Sequence, residues 1–419
     1  MPLQLINTNV EILAPVGSYE SLQAAINAGA NSIYFGVEQL NMRTRSSRSF
    51  EISDIKKVVS ICKVNGLKAY LTLNTVMYEH DMQLLKSILK EAKNEGIHAV
   101  IAADFSVIEY CSQLGIPLHI STQANVSNIE SVKFFSRYAD VVVLARELTL
   151  QQIDSISKEI KRQQIKGPAG ALIKIELFVH GALCMAISGK CYLSLHTQNA
   201  SANRGACVQN CRRQYIVKDI EHEQELLIDN EYIMSPKDLC TIDILDQLIA
   251  SGVDVLKIEG RSKGAEYVQI VTTCYREALA SIRNGTYSAD KIINWKLAMS
   301  KVYNRGFWEG YFLGRRLGEW TNNSGSAALE KKVYVGKGSK YYSKIGIGEF
   351  EIESGSIKMG DMLMITGPAC GMVKERMSKL RVNGIETNVA VKGDKISFPF
   401  ATKVTANNKL YKIVNSNNE

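Results

Sequence analysis

The 419 residues, 46% of them hydrophobic, can bury a large core and suit one barrel of about 250 residues with added elements. Residues 1–17 lack the basic start and apolar run of a secretion signal, and no stretch approaches the roughly 18 apolar residues of a membrane span. That excludes a membrane partner and leads us to expect a soluble, cytoplasmic chain, in which nine cysteines read as thiols or metal ligands rather than a disulfide framework.

From the N-terminus, eight β-branched or apolar runs alternate with amphipathic segments, the pattern of repeated βα units. The runs are Glu11–Val16, Ser32–Val37, Lys68–Asn74, Ala99–Asp104, Pro117–Gln123, Val141–Arg146, Lys174–His180 and Val255–Gly260. Helical patterns follow most of them, at Ser18–Ala28, Ile52–Asn65, Met82–Glu95 and Leu150–Arg162, and several stop at a glycine: Gly29, Gly66, Gly96 or Gly115. Eight such units close a barrel, whereas an open doubly wound sheet would leave edge strands, and none of the runs reads as one. The expected architecture is α/β, a (β/α)8 TIM-like barrel over residues 1–285 with a cysteine-rich insertion at 181–240 after the seventh strand.

A helical extension and linker should occupy residues 286–326, with the polar run Thr321–Ser326 as the link. Beyond it Lys332–Val335, Lys344–Ile352, Met362–Thr366, Val389–Val391 and Leu410–Val414 read as short strands, which predicts a small all-β barrel over residues 327–419. The stretch from Gly355 to Pro368 resembles the second-domain barrel of translation factors. The net charge of +8 is uneven, with 15 Lys and Arg against 9 Asp and Glu from Glu330 onward. Such an excess points to a polyanion such as RNA, because basic side chains gain from phosphate contacts and counterion release; ordinary solvated surface charge is the competing reading.

In a barrel of this kind the active site lies at the C-terminal ends of the strands. That rule gathers Asn74, Asp104, Gln123, Arg146, Glu147, His180, Glu259 and Arg261 around one mouth. The long insertion adds cysteines spaced C-x6-C-x15-C-x3-C-x28-C, through Cys184, Cys191, Cys207, Cys211 and Cys240. Thiolates suit zinc or iron–sulfur iron. Only Cys207 with Cys211 has the spacing of a zinc knuckle, so a second knuckle is missing.

The stretches Glu11-Ile-Leu-Ala-Pro-Val-Gly-Ser18, Ile33-Tyr-Phe-Gly36, Ser121-Thr-Gln-Ala-Asn125, His180-Gly-Ala-Leu-Cys-Met-Ala186, Ser188-Gly-Lys-Cys191, Ser235-Pro-Lys-Asp-Leu-Cys240 and Lys257-Ile-Glu-Gly-Arg261 resemble the collagenase-like peptidase family of unassigned catalytic type. Members named as peptidases include oxygen-independent hydroxylases of tRNA, ribosomal RNA or the ubiquinone ring, and a barrel with one basic β domain is most similar to the tRNA branch. The resemblance implies hydroxylation of carbon five of the wobble uridine, prephenate as hydroxyl donor and a 4Fe-4S iron–sulfur cluster. It places the cluster ligands on Cys184, Cys191, Cys207 and Cys240, the last expected to open a helix at the barrel mouth, with Cys211 as the alternative fourth ligand. The implied partners are tRNA, a small dicarboxylate co-substrate and, as an option, a helper protein.

A dicarboxylate calls for guanidinium forks, and Arg43, Arg45, Arg146 and Arg261 are the candidates. For Arg261 a salt bridge to Glu259 or Glu147 is the structural alternative; for Arg43 and Arg45 it is a solvated loop. Gln123 and Asn125 can read a base edge or orient substrate, or else satisfy backbone groups at the strand end. His180 and Glu259 are the candidate catalytic residues, His180 because an imidazole titrates near neutral pH and lies close to Cys184 in sequence. A peptidase would need a metal-bound water or an activated nucleophile, and neither H-E-x-x-H nor G-x-S-x-G occurs. A Cys184–His180 dyad would serve that reading, and a non-catalytic RNA binder with a structural metal site is the third.

Overall fold

The computed structural model describes residues 10–43, 50–213, 215, 234–314, 318–322 and 325–416. Every one of the eight sequence runs forms a strand: β1 (Glu11–Pro15), β2 (Ser32–Phe35), β3 (Lys68–Leu73), β4 (Ala99–Ala102), β5 (Leu118–Ile120), β6 (Val141–Val143), β7 (Lys174–Gly181) and, after the short β8 (Asp238–Cys240), β9 (Val255–Ile258). Neighbours from β1 to β7 pair in parallel, β9 pairs in parallel with both β7 and β1, and the barrel closes. Closure buries both faces, which is why β6 can be Val-Val-Val and why the runs are apolar rather than alternating.

The helices wrap outside: α1 (Tyr19–Asn27), α2 (Asp54–Val64), α3 (Met82–Asn94), α4 (Phe105–Leu114), α5 (Ile129–Phe135), α6 (Leu150–Gln163), then, after the short α7 (Leu193–Gln198) of the insertion, α8 (Leu245–Ala250) and α9 (Ala265–Arg283), with α10 (Ala289–Ser300) packed on α9. Their starts are chemically marked. Ser18 and Thr149 form capping boxes, and Asp104 and Asn128 accept from Ser106 and Ser131 amides. The longer helices present one apolar stripe to the barrel, as α3 does with Leu85, Ile88, Leu89 and Ala92.

Two features depart from the sequence reading. Cys240 ends β8 instead of opening a helix; β8 pairs antiparallel with the end of β7, His180 opposite Cys240. The segment after α10 is more than an extension, because β10 (Phe307–Trp308) pairs with β8 and Trp308 Nε1 donates to the Lys237 carbonyl at 3.0 Å. It thereby brings Arg305 to the barrel mouth.

The C-terminal region is all-β and antiparallel. Its longest strand, Glu330–Tyr342, pairs with Ile347–Ile352 on one side and Lys409–Asn415 on the other. Phe350, Phe398, Phe400 and Leu410 belong to its own core. Met364 and Met372 instead join the barrel's core, and Asn27 Nδ2 donates to the Cys370 carbonyl at 2.9 Å, so the two regions are packed together.

Candidate active site

Where the strands end, a cavity of about 140 Å3 opens at the barrel mouth. Beneath it lies a charged layer that the sequence reading missed. Glu176 of β7, fully buried, takes Lys257 Nζ on one oxygen at 2.6 Å and His119 Nδ1 on the other at 3.0 Å. Burial opposes ionisation of Glu176, yet Lys257 and His119 hold its pKa down at about 2. Lys257 sits between the rings of Tyr34 and Phe178, 4.8 and 5.2 Å from their centroids. The signal was present in the sequence: Glu176 and Lys257 are charges inside runs that a closed barrel buries on both faces.

Glu259, just beyond Lys257 on the same chain segment, lines the same cavity. Arg43 donates to its Oε1 through Nε at 3.0 Å and Nη2 at 2.6 Å. Burial would raise the Glu259 pKa, but Arg43 and Arg261 bring it below the usual carboxylate range. Arg261 is buried and donates from Nη1 to Asn41 Oδ1 at 3.0 Å and Thr72 Oγ1 at 2.7 Å, while its Nε has no partner among the described residues. Burial lowers its pKa to about 10. Arg146 donates to Ser188 Oγ at 2.6 Å. Arg45 lies outside the described residues.

Gln123 reaches the cavity, its amide oxygen accepting from Ser121 Oγ and from Asn74 Nδ2. Asn125 is in a left-handed conformation and uses Nδ2 on the Gln123 and Ser188 carbonyls, which is the backbone-satisfying role. Asp104 caps α4, and Glu147 is exposed. His180 does not line the cavity. It packs among Tyr267, Tyr275 and Phe307, its Nδ1 without a partner among the described residues, and burial lowers its pKa to about 3.

The cysteine-rich insertion covers the mouth. Cys184, Cys207 and Cys211 line the cavity. Burial raises the Cys211 thiol pKa, Arg212 opposes it, and the neighbouring thiols of Cys184, Cys207 and Cys191 add to the rise, so these four lie in one electrostatic neighbourhood. Cys240 is elsewhere, buried in β8 with its thiol pushed up to about 12 by burial. Cys240, the fourth ligand preferred from sequence, does not line the cavity, whereas the alternative, Cys211, does.

Soft thiolates are the donors an iron–sulfur cluster takes, and Arg43 and Arg212 supply positive charge beside them. Among the described residues no three His, Cys, Asp or Glu side chains stand at the spacing that grips an ion, so it is the donor chemistry that fits the cluster. Arg212 holds the insertion in place, donating to Leu183 O, Pro236 O and Ser235 Oγ, and Arg305 pairs with buried Asp238 at 3.3 Å. Neither arginine was singled out from sequence, since each becomes part of the mouth only through the insertion and the segment around β10. No helix among the described residues is long and apolar enough to cross a membrane.

A comparison with family models matches the chain to Peptidase family U32 over residues 17–322. A protein of Porphyromonas gingivalis named collagenase is 52% identical over 402 residues, 96% of this chain and 97% of its own. The tRNA hydroxylation protein P1 of Bacillus subtilis is 32% identical over 323 residues, 74% of this chain and 72% of that protein. The 23S rRNA 5-hydroxycytidine C2501 synthase of Escherichia coli is 35% identical over 278 residues, 65% of this chain and 40% of that protein. Family model, full-length relatives and the motifs lining the mouth agree, and the chain belongs to Peptidase family U32.

Proposed function

We propose that this protein is an RNA-modifying hydroxylase, acting on carbon five of the tRNA wobble uridine with prephenate as hydroxyl donor and a 4Fe-4S cluster on Cys184, Cys191, Cys207 and Cys211. The observation that carries this reading is the meeting of a four-thiol loop with a small cation-lined cavity at the barrel mouth. Relatives named for tRNA hydroxylation and for rRNA 5-hydroxycytidine synthesis support the reaction class. The cytoplasm, where tRNA is, is the proposed location.

When bound, the cluster would supply a redox-active centre beside the cavity. The chain's own residues provide the rest. Arg146 and Arg261 line the cavity and donate to neutral side chains, which suits an anionic co-substrate. Glu259, held ionised by Arg43, can accept a hydrogen bond or a proton from a group bound there. The excess charge of the β domain would meet the RNA backbone.

The relative named collagenase, at higher identity, favours a peptidase as the second reading. A thiol peptidase needs an imidazole beside its thiol. His180, close to Cys184 in sequence, is instead enclosed by Tyr267, Tyr275 and Phe307.

Nucleoside mass spectrometry of tRNA from a strain lacking the gene tests the proposal, with complementation by wild type, Cys211→Ala or Cys240→Ala. Loss of 5-hydroxyuridine derivatives, restored by wild type and Cys240→Ala but not by Cys211→Ala, is the expected result. An unchanged profile, together with Cys184-dependent cleavage of denatured collagen by the purified protein, would establish the peptidase reading instead.

A further inference from the structure

We propose that Lys257 is the carboxylate anchor at the floor of the cavity, and that Glu176 and His119 are positioning residues that hold its ammonium there. The inference deepens the reading of this cavity as a small-molecule site and rests on it, naming the group that receives the acid. Burying an ammonium in a barrel interior is costly, so a lysine 4% exposed on an otherwise apolar strand needs a reason. Its counter-ion is equally enclosed: the Glu176 side chain is 0% exposed and shared with His119.

An ammonium has three donors. Among the described residues Glu176 takes one, at 2.6 Å, while Tyr34 and Phe178 offer ring faces rather than oxygen acceptors. Two N–H groups are left for an occupant of the cavity that Lys257 lines. The cavity, about 140 Å3 and open at the mouth, has room for a small molecule and not for a folded polymer. Around that volume Glu259 is engaged by Arg43, whereas Arg146 is bonded to a serine and Arg261 to an asparagine and a threonine. The arrangement fits a small acid with two carboxylates, one on the floor at Lys257 and one on the wall at the arginines. Glu176 and His119 touch no substrate in this scheme; they act through Lys257.

Calorimetric titration of the cluster-loaded full chain with prephenate, which has two carboxylates, and with phenylpyruvate, which has one, tests this. Wild type should prefer prephenate. Lys257→Met should weaken prephenate on the order of tenfold to a hundredfold, as expected when a charged hydrogen bond is removed, and leave phenylpyruvate nearly unchanged, so that the preference collapses. A merely structural lysine would lower both ligands together and keep their ratio. If Lys257→Met does not fold, Lys257→Gln combined with Glu176→Gln keeps a neutral hydrogen-bonded pair and should show the same collapse. A preference retained in the folded variant overturns the anchor alone; wild type that binds neither acid overturns the co-substrate reading and the anchor with it.

Discussion

His180 belongs to β7, and strict alternation from Glu176 and Phe178 would aim it into the barrel. The pairing with β9 slips by one residue between Phe178 and His180, placing His180 opposite Ile258 rather than on the face of Lys257. One extra residue therefore moves the imidazole from the cavity to the layer between strand and α9, among aromatic rings. Its pKa of about 3 in the fold, against 6.5 when free, has a stability consequence. Between those values the unfolded chain binds a proton that the folded chain refuses, so stability is full above pH 6.5 and falls as pH drops toward 3. His180→Phe should flatten this acid slope in urea denaturation across that window, while tRNA hydroxylation stays within a few-fold of wild type. Activity abolished with the fold intact would return His180 to the catalytic set.

At the scale of the element, polar contacts hold the described residues of the insertion. Arg204 ties it to Asp81 and to the Val76 carbonyl, Asn203 Oδ1 accepts from the Cys191 amide, and Ser194 Oγ accepts from the Val208 amide. Gly189 lets it approach the barrel: its φ is +73°, and a Cβ there would lie 2.7 Å from Gln123 Cγ. Gly189→Ala should cost about 1–2 kcal/mol locally, from the left-handed backbone alone. Limited proteolysis should cut the insertion faster while the global urea midpoint barely moves. Equal cleavage rates would show that the loop tolerates the side chain.

Across the whole molecule, the β domain is docked rather than tethered. Gly371, with φ +68°, meets α1 so closely that a Cβ would be 2.7 Å from the Ala24 amide nitrogen, and Met364 and Met372 fill the shared core. Removing everything after Ser326 would therefore strip apolar cover from α1 and α9 as well as charge, so surface charge reversal separates the two effects. Lys379, Arg381 and Lys395 are exposed on the β domain. Changing all three to Glu should weaken tRNA binding and lower the slope of log affinity against log salt by about 0.7–0.9 for each phosphate that is no longer neutralised, with thermal stability unchanged. An unaltered slope would place the RNA on another face.

The sequence alone determined the barrel and the second, all-β region, because strand and helix periods, glycine stops and capping residues are local properties repeated along the chain. It also marked the mouth residues Gln123, Arg146, Glu259 and Arg261, since the ends of parallel strands share one face. Only the tertiary structure decided which thiols are neighbours. Cys240 follows a motif that reads as a helix start, but β8 pairs with β7 and draws it into the wall, leaving Cys211 with Cys184, Cys191 and Cys207. Glu176 and Lys257 stand out in the sequence as charges inside apolar runs, but their pairing with each other and with His119 was not legible there, because the three stand on separate strands and only barrel closure brings them within hydrogen-bonding distance.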